Sequence, residues 1–354
     1  MTVSATPPRE SSGYRCEPAN LISDQADILS IWSGNLGNAA KQAAKYDWFY
    51  LGSEAGCPVV SLLRHEETGR RVGIAAAGPR RAFWNGRDVR IGVLVDLAVL
   101  PEHRSLYPAL LLQRSLQQSV PGDLAALYGF PNPRAVPVFT RVGYTKTLDF
   151  RRFVRVLRSG DYLRRHFPGW LAGLVAWPID MAMTLVDFLR SPRTKGLKAA
   201  WSIAVNPRVD DLWAMAPRGN GPILVRDASF LRWRFDRMPG MSVRYLNVVA
   251  ADGRLTAWFA CEEDGVTLMV RDFWTSAGHD GINPSIVMLL LREARRSAYS
   301  AVWLEFGGSE RIVQVFEAAG FAERDRRPFF SYIDPESTPV CDAEWYVTSA
   351  DEDE

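Results

Sequence analysis

The feature that most constrains the fold is an internal duplication, because the chain carries the same succession of predicted elements twice. In each half, a hairpin leads to a long strand, an amphipathic helix, a short strand and a second helix closed by glycine. The strand residue Asp96 precedes the helix-closing Gly143 by 47 residues, and Asp272 precedes Gly320 by 48. With a repeat distance of about 180 residues, this pattern predicts a duplicated domain rather than a solenoid.

Hydrophobic periodicity places the individual elements and divides the chain into 1–160, a linker at 161–200, and 201–354. The first half is predicted to contain strands Val59–Leu63, Val72–Ala77, Val89–Leu100, Leu124–Tyr128 and Phe150–Leu157 and helices Leu106–Val120 and Asn132–Val142. The second half is predicted to contain strands Val243–Val249, Leu255–Cys261, Val266–Phe273 and Val302–Phe306 and helices Pro284–Ala298 and Ser309–Ala319. Trp48 and Trp233 occupy equivalent places ahead of these strands, which favours a role as core anchors.

Composition excludes several classes of protein. A chain with 47% hydrophobic and 23% charged residues is neither disordered nor fibrous. The four cysteines are far apart and never form C-x-x-C, and only four histidines are present, so we expect no disulfide scaffold and no metal site. The first ten residues contain no apolar signal segment. These observations predict a cytoplasmic protein with reduced thiols.

Charge is unevenly distributed along the chain. Residues 1–160 contain 20 Lys and Arg against 13 Asp and Glu, a net charge of +7, whereas residues 201–354 have a net charge of −8. A basic first half suits an anionic ligand such as a phosphorylated cofactor. The alternative is that two halves of opposite sign dock on each other. No basic run interleaved with aromatic residues is present, so nucleic acid is not an expected partner.

An apolar segment at Phe167–Leu189 lies between the two halves. Pro178, Asp180 and Asp187 interrupt it, and each central aspartate opposes membrane insertion by about 2.5–3.5 kcal/mol, so a spanning helix is not expected. We predict a buried linker helix, and an interfacial helix that contacts lipid is the alternative. The expected stripe packed on the domains comprises Leu171, Leu174, Val175, Met181 and Leu185, and the basic flanks are Arg164, Arg165, Arg190 and Arg193.

Two stretches of the first half resemble signatures of the GCN5-related N-acyltransferase (GNAT) superfamily. The run Asp96-Leu97-Ala98-Val99-Leu100-Pro101-Glu102-His103-Arg104 is similar to the V-x-P-x-x-R signature of that family. The run Asn132-Pro133-Arg134-Ala135, followed by Phe139 and by Gly143-Tyr144, is similar to its N-x-x-A…Y-x-x-x-G-F segment. The resemblance covers about residues 45–158 and 231–333, with a degenerate second copy in which Phe316 and Gly320-Phe321 echo the same ending.

The resemblance implies an α/β fold with a mixed sheet, in two tandem copies. It also implies an acyl donor, which is acetyl-CoA, another acyl-CoA or an acyl carrier protein, and an amine acceptor on a small molecule or sugar. The residues that it assigns to the donor are Leu97, Val99, Arg104, Tyr107, Ala109, Asn132 and Phe139. In the pyrophosphate loop, Tyr107 replaces the first glycine of R-x-x-G-x-G/A and Pro108 lacks a backbone N–H.

Acyl transfer to an amine requires a base, and Asp96 within its β-branched strand is the best candidate, with Asp272 in the second copy as the other. For each carboxylate, the alternative is a structural role at the separation of two strands, paired with an arginine or with backbone. Phe139 and Phe316 stand where the family often has an acidic tyrosine, and neither ring donates a proton. Two rival functions therefore stay open, a binding protein without activity and a membrane-associated acyltransferase for long acyl chains, although membrane contact is not expected.

Overall fold

A computed structural model describes residues 13–33, 35, 38–118, 120, 124–163, 169–190, 196–333 and 344–352. Within these residues, fourteen strands form one mixed sheet flanked by helices. The strands are β1 (Tyr14–Pro18), β2 (Val59–His65), β3 (Arg71–Trp84), β4 (Arg87–Val99), β5 (Ala126–Gly129), β6 (Thr145–Val156), β7 (Lys198–Ser202), β8 (Ile223–Leu224), β9 (Val243–Val249), β10 (Leu255–Asp264), β11 (Thr267–Thr275), β12 (Ala301–Gly307), β13 (Ala322–Ile333) and β14 (Val347–Thr348). The helices are α1 (Gln25–Ser33), α2 (Ala39–Lys45), α3 (Leu106–Gln117), α4 (Val136–Val142), α5 (Gly160–Leu163), α6 (Gly169–Arg190), α7 (Val209–Met215), α8 (Ala228–Leu231), α9 (Pro284–Arg296) and α10 (Glu310–Ala318).

The predicted elements are present, but some are longer than predicted. Strand β3 continues seven residues beyond the predicted end at Ala77, and β6 begins five residues before the predicted start at Phe150. Strands β1, β7, β8, β13 and β14 have no predicted counterpart.

Strand β9 has the predicted bounds, and Gly143 and Gly320 follow α4 and α10 with φ of +98° and +85°. A positive φ is available to glycine at little cost, so both helices end where predicted. Helix α4 begins later than expected because the Asn132 side chain accepts hydrogen bonds from the backbone N–H groups of Arg134 and Ala135, which fixes a turn.

The sheet order makes the duplication visible and shows an exchange of strands. The order is β1-β2-β3-β4-β5-β13-β6-β12-β11-β10-β9-β7, so β2 to β5 on one side correspond to β9 to β12 on the other. Strand β13, which follows α10 in the second half, pairs with β5, whereas β6, which follows α4 in the first half, pairs with β12. Strands β6 and β13 pair with each other at the centre. The predicted domain boundaries, with a first domain at 1–160, a linker at 161–200 and a second domain at 201–354, stay a prediction.

Two tryptophans at equivalent positions join the halves on one side of the sheet. Trp48 and Trp233 lie in short π-helical turns, Tyr46–Leu51 and Arg232–Asp236, and their rings stack 4.9 Å apart at 13°. Trp48 Nε1 donates to the Trp233 carbonyl at 2.8 Å, and Trp233 Nε1 donates to the Trp48 carbonyl at 3.3 Å. Both side chains are buried, which confirms the predicted role as core anchors.

Replacement of one tryptophan tests this junction. We expect Trp48→Ala to lower the free energy of unfolding by about 3–5 kcal/mol, since it removes a buried indole, its stacking and one side-chain hydrogen bond. Trp48→Phe is the control, because it keeps an aromatic ring and should cost less. Both values come from chemical denaturation followed by circular dichroism. A loss under about 1 kcal/mol for Trp48→Ala would contradict the role assigned to the pair.

The linker helix is present as α6, but it faces the opposite way from the prediction. Asp180 accepts a hydrogen bond from the Ser159 backbone at 2.7 Å, and Asp187 pairs with Arg155 and Arg295 at 2.6 and 2.5 Å. These contacts turn the acidic side of α6 toward the protein. The expected packed stripe is therefore wrong at Val175, Met181 and Leu185, which are exposed, whereas Leu171 and Leu174 lie outside the described side chains. No helix in the described ranges has the length and apolar character needed to cross a membrane.

Candidate functional site

A cleft opens where two parallel strands of the first half separate. Strands β4 and β5 pair only at Gly92 with Leu127 and at Val93 with Tyr128. Beyond this point a cavity of about 400 Å³ lies between them. Its described lining residues are Trp32, Gln42, Lys45, Leu94, Val95, Asp96, Leu97, Gln113, Phe130, Pro131, Asn132, Ala135 and Phe139. One edge of β4 pairs with β3, and the separation from β5 leaves the other edge of β4 facing the cavity.

A β-bulge places Asp96 at this cavity. The register between β3 and β4 shifts so that Ala75 lies opposite both Asp96 and Leu97. Asp96 has a φ of +54°, which is uncommon for a residue with a side chain and often marks a functional position. Bulges of this kind redirect a side chain out of the regular alternation of a strand.

The Asp96 carboxylate is held by two side chains from outside the sheet. Lys45 Nζ lies 2.9 Å from Oδ1, and the Tyr50 hydroxyl donates to Oδ2 at 2.7 Å. Lys45 ends α2, and Tyr50 belongs to the π-helical turn that follows. Only 5% of the Asp96 side chain is exposed, against 26% for Lys45, so the carboxylate is shielded from water on most sides.

The sequence prediction missed Lys45 and Tyr50. An ordinary helix places residues four apart on one face, whereas a π-helical turn brings residues five apart together. Lys45 and Tyr50 have that spacing of five. The aromatic run Tyr46 to Tyr50 was the available signal, but nothing in an aromatic run identifies a π turn.

The residues assigned to the donor by resemblance fall into two groups. Leu97, Asn132 and Phe139 line the cavity together with Asp96. Val99 ends β4, Arg104 lies in the loop after it, and Tyr107 and Ala109 lie in the first turn of α3. Arg104 Nε donates to the Val99 carbonyl at 3.1 Å, and its guanidinium also bonds to the Asn35 side chain. Arg104 therefore braces the loop between β4 and α3.

The start of α3 exposes backbone donors beside this loop. Ser105 precedes the helix, and no side chain in the described part of the chain caps it. The first N–H groups of a helix have no partner within it and carry partial positive charge, so they attract anions. The Tyr107 side chain in this first turn is 42% exposed. Pro108, which is buried, contributes no N–H.

Phe139 belongs to an aromatic cluster and not to a proton relay. Its ring packs 4.9 Å from Tyr144 and 5.8 Å from Phe330. The Tyr144 hydroxyl donates to Gln113 at 3.1 Å, and burial raises the pKa of Tyr144 well above its ordinary value. Neither residue is suited to release a proton near neutral pH.

The comparisons with solved structures agree with this architecture. A probable N-acyltransferase from Enterococcus faecalis V583 matches with a TM-score of 0.64 at 10% identity, covering 90% of this chain and 72% of that one. A GNAT acetyltransferase from Kribbella flavida matches with a TM-score of 0.60 at 14% identity, covering 90% and 71%. Saccharomyces cerevisiae N-myristoyltransferase with bound myristoyl-CoA matches with a TM-score of 0.50 at 13% identity, covering 93% and 85%. The chain has the GNAT fold.

At these identities the likeness establishes the fold. By sequence, neither the protein-family models nor the curated proteins searched give a match. The predicted fold class, an α/β mixed sheet of GNAT type, is confirmed. The β4–β5 opening in this GNAT fold is the cleft described above.

The corresponding opening of the second half is filled by the chain itself. Strands β11 and β12 pair from Thr267–Val270 with Ala301–Leu304 and then separate. The carboxyl-terminal strand β14 pairs with β12 beyond that point. The Tyr346 hydroxyl donates to the Phe273 carbonyl at 2.8 Å, which ties this segment to β11. The second GNAT-like opening therefore holds protein where the first holds a cavity.

Asp272 lies within this filled opening. It is fully buried and accepts hydrogen bonds from Arg226 Nε at 3.0 Å and from the Thr348 hydroxyl at 2.8 Å. Arg226 also binds Asp351 at 2.8 Å. The structure does not bring Asp272 to the described lining of the cavity, and its arginine partner fits the structural alternative. Burial raises the pKa of Asp272 to about 6.

The buried carboxylate makes a testable contribution to stability. Because the pKa of Asp272 is higher in the folded chain than its ordinary 3.8, its stabilising effect is present at low pH and is lost as pH rises through about 6. Asp351 binds the same Arg226 and its pKa is also raised by burial, so the two carboxyls titrate together. Relative to Asp272→Asn, the wild-type free energy of unfolding should fall between about pH 4 and pH 7.

Urea denaturation at a series of pH values measures this difference. Asp280→Asn is the control, since the Asp280 side chain is 62% exposed and should show no such trend. A difference between wild type and Asp272→Asn that stays constant with pH would contradict the assignment.

Proposed function

We propose that this protein is an N-acyltransferase that moves an acyl group from acetyl-CoA or another acyl-CoA to an amine of a small molecule or sugar. The observation that carries the proposal is the contact between Asp96 and Lys45 in the cleft. A shielded carboxylate there already accepts a hydrogen bond from an alkyl ammonium at 2.9 Å. An acceptor ammonium requires the same contact before it loses a proton.

The proposed reaction uses Asp96 as the general base. The carboxylate takes a proton from the acceptor ammonium, and the neutral amine attacks the thioester carbon. A C–N bond forms and the C–S bond breaks. The new amide nitrogen gives its excess proton to water, and the CoA thiolate takes a proton from water, because no tyrosine is among the described residues that line the cavity. These two transfers cancel, so the one proton released overall is the proton that Asp96 has taken. Tyr50 acts as a positioning residue, since its hydroxyl fixes the Asp96 carboxylate.

The acyl donor would lie along the open edge of β4. Leu97 and Val99 supply backbone groups to the pantetheine arm, Asn132 and Phe139 form the opposite wall, and the turn with Arg104, Tyr107 and Ala109 takes the pyrophosphate at the start of α3. The net charge of +7 on residues 1–160 supports an anionic donor. An acyl carrier protein presents the same pantetheine arm and stays an alternative donor. A cytoplasmic location fits the free thiols of Cys16, Cys57 and Cys261.

The placement of the donor predicts the effect of a substitution on acyl-CoA binding. Arg104→Ala should weaken acyl-CoA binding by about 1.5–3 kcal/mol, because it removes a charged group and the brace of the pyrophosphate loop. Isothermal titration calorimetry with acetyl-CoA and longer acyl-CoAs measures the effect. Arg114→Ala, an exposed position later in α3, is the matched control and should bind as the wild type does. An equal loss from changes confined to residues 278–285 would contradict placement of the donor in the first half.

The role proposed for Asp96 predicts the effect of its substitution on turnover. With an amine that the protein acylates, Asp96→Asn should lower kcat by about 10²–10⁴, the usual contribution of a general base, while acyl-CoA binding is retained. Asp88→Asn, an exposed position on the same strand, should leave kcat unchanged. Free thiol released per second gives the rate. Unchanged turnover in Asp96→Asn, with only a lower melting temperature, would return Asp96 to a structural role.

A binding protein without activity is the second candidate, and one observation favours it. Phe139 is buried at the cleft where the resemblance points to an acidic tyrosine. A thermal-shift screen with acyl-CoAs, followed by an assay against a panel of amines, separates the two candidates. Stabilisation by acyl-CoA without thiol release for any amine would select the binding protein.

A further inference from the structure

Helix α6 turns its polar side toward the protein. Ala176, Asp180, Met183 and Asp187 lie three or four residues apart, so they share one face. Asp180 receives the Ser159 backbone N–H, and Asp187 binds two arginines. Among the described side chains, Asp180 and Asp187 tie this helix to the body through a hydrogen bond and ion pairs, and Ala176 is buried on the same face.

The outward face of α6 is apolar over three turns. Between residues 175 and 185, the exposed large side chains are Val175 (37%), Trp177 (69%), Ile179 (40%), Met181 (55%) and Leu185 (58%). Pro178 and Ala182 are exposed between them, and Asp180 is the only charged residue of this stretch. An ordinary surface helix has the reverse arrangement, with its apolar face toward the core. A contiguous exposed patch of this kind marks an interaction surface.

The sequence on either side of α6 indicates what covers the patch. In the sequence, Arg164, Arg165 and His166 precede the helix, and Arg190, Arg193 and Lys195 end or follow it. An anionic lipid surface offers both an apolar layer for the patch and negative headgroups for the flanks, each basic residue contributing about 1 kcal/mol.

We propose that α6 docks flat on the surface of an anionic lipid bilayer. A helix of 22 residues is about 33 Å long, and the ion pairs at Asp187 hold it parallel to the protein surface while its apolar face enters the headgroup layer. Trp177 is suited to this layer, since tryptophan is enriched at membrane interfaces. The proposal does not depend on the proposed activity, because it uses no residue of the cleft.

Vesicle co-sedimentation tests the proposal with the full chain. The wild type should bind vesicles of phosphatidylcholine mixed with phosphatidylglycerol more tightly than pure phosphatidylcholine, and added salt should weaken the binding. The double variant Trp177→Ser with Leu185→Ser should lose about tenfold or more in partition coefficient. Ile203→Ser is the matched control, because Ile203 is 85% exposed and lies outside α6. It should bind as the wild type does.

Three outcomes would overturn the proposal. One is the absence of wild-type binding to the anionic vesicles, and another is equal binding by the double variant. The third is a wild-type dimer in light scattering that the double variant lacks, since a second copy would then be the partner of the patch. Unchanged melting temperatures show that the variants are folded, which we expect because both side chains are exposed.

Discussion

The pairing of β6 with β13 at the centre of the sheet is the constraint on which the rest of the structure depends. Each strand belongs to one half of the chain and extends the sheet of the other half, as β13 pairs with β5 and β6 with β12. Strands β13 and β6 thereby cover the edges of β5 and β12 that face the middle of the sheet. The two halves therefore complete one another, and the reciprocal hydrogen bonds of Trp48 and Trp233 join them again outside the ladder.

The duplication gives the fold two openings between parallel strands, and within the described ranges only the first of them is a cavity. Each half separates its parallel strands in the same manner, at β4–β5 and at β11–β12, so the fold offers two openings. The carboxyl-terminal strand β14 enters the second opening and pairs there with β12. Arg226 then bridges Asp272 of the second half and Asp351 of the terminal segment. A terminal segment of nine described residues thus converts a repeated fold into one with a single described cleft.

The sequence allowed prediction of those strands and helix ends that depend on local residue patterns. Hydrophobic periodicity located nine of the fourteen described strands, β2 to β6 and β9 to β12, but not β1, β7, β8, β13 or β14. The glycines at 143 and 320 located two helix ends because only local geometry decides them. Periodicity carries no information on which half receives a terminal strand, so the exchange of β6 and β13 was not predictable. The orientation of α6 was predicted wrongly, because its apolar side was assumed to seek the core. Arginines at 155 and 295, distant in sequence, attract its acidic side instead.

The two equivalent aspartates show how surroundings decide the role of a residue. Both lie at or beside register shifts of matching strands, although Asp96 lies within its bulge at a φ of +54° and Asp272 pairs regularly with Ala260. Asp272 meets an enclosed guanidinium that never deprotonates, and the segment bearing Thr348 keeps it from solvent. Asp96 meets the partly exposed ammonium of Lys45 at the wall of a cavity. A flexible amine can be displaced by an incoming one, whereas a buried ion pair cannot be opened without unpaired charge. These surroundings support the proposed role of Asp96 as the base and fit a structural role for Asp272.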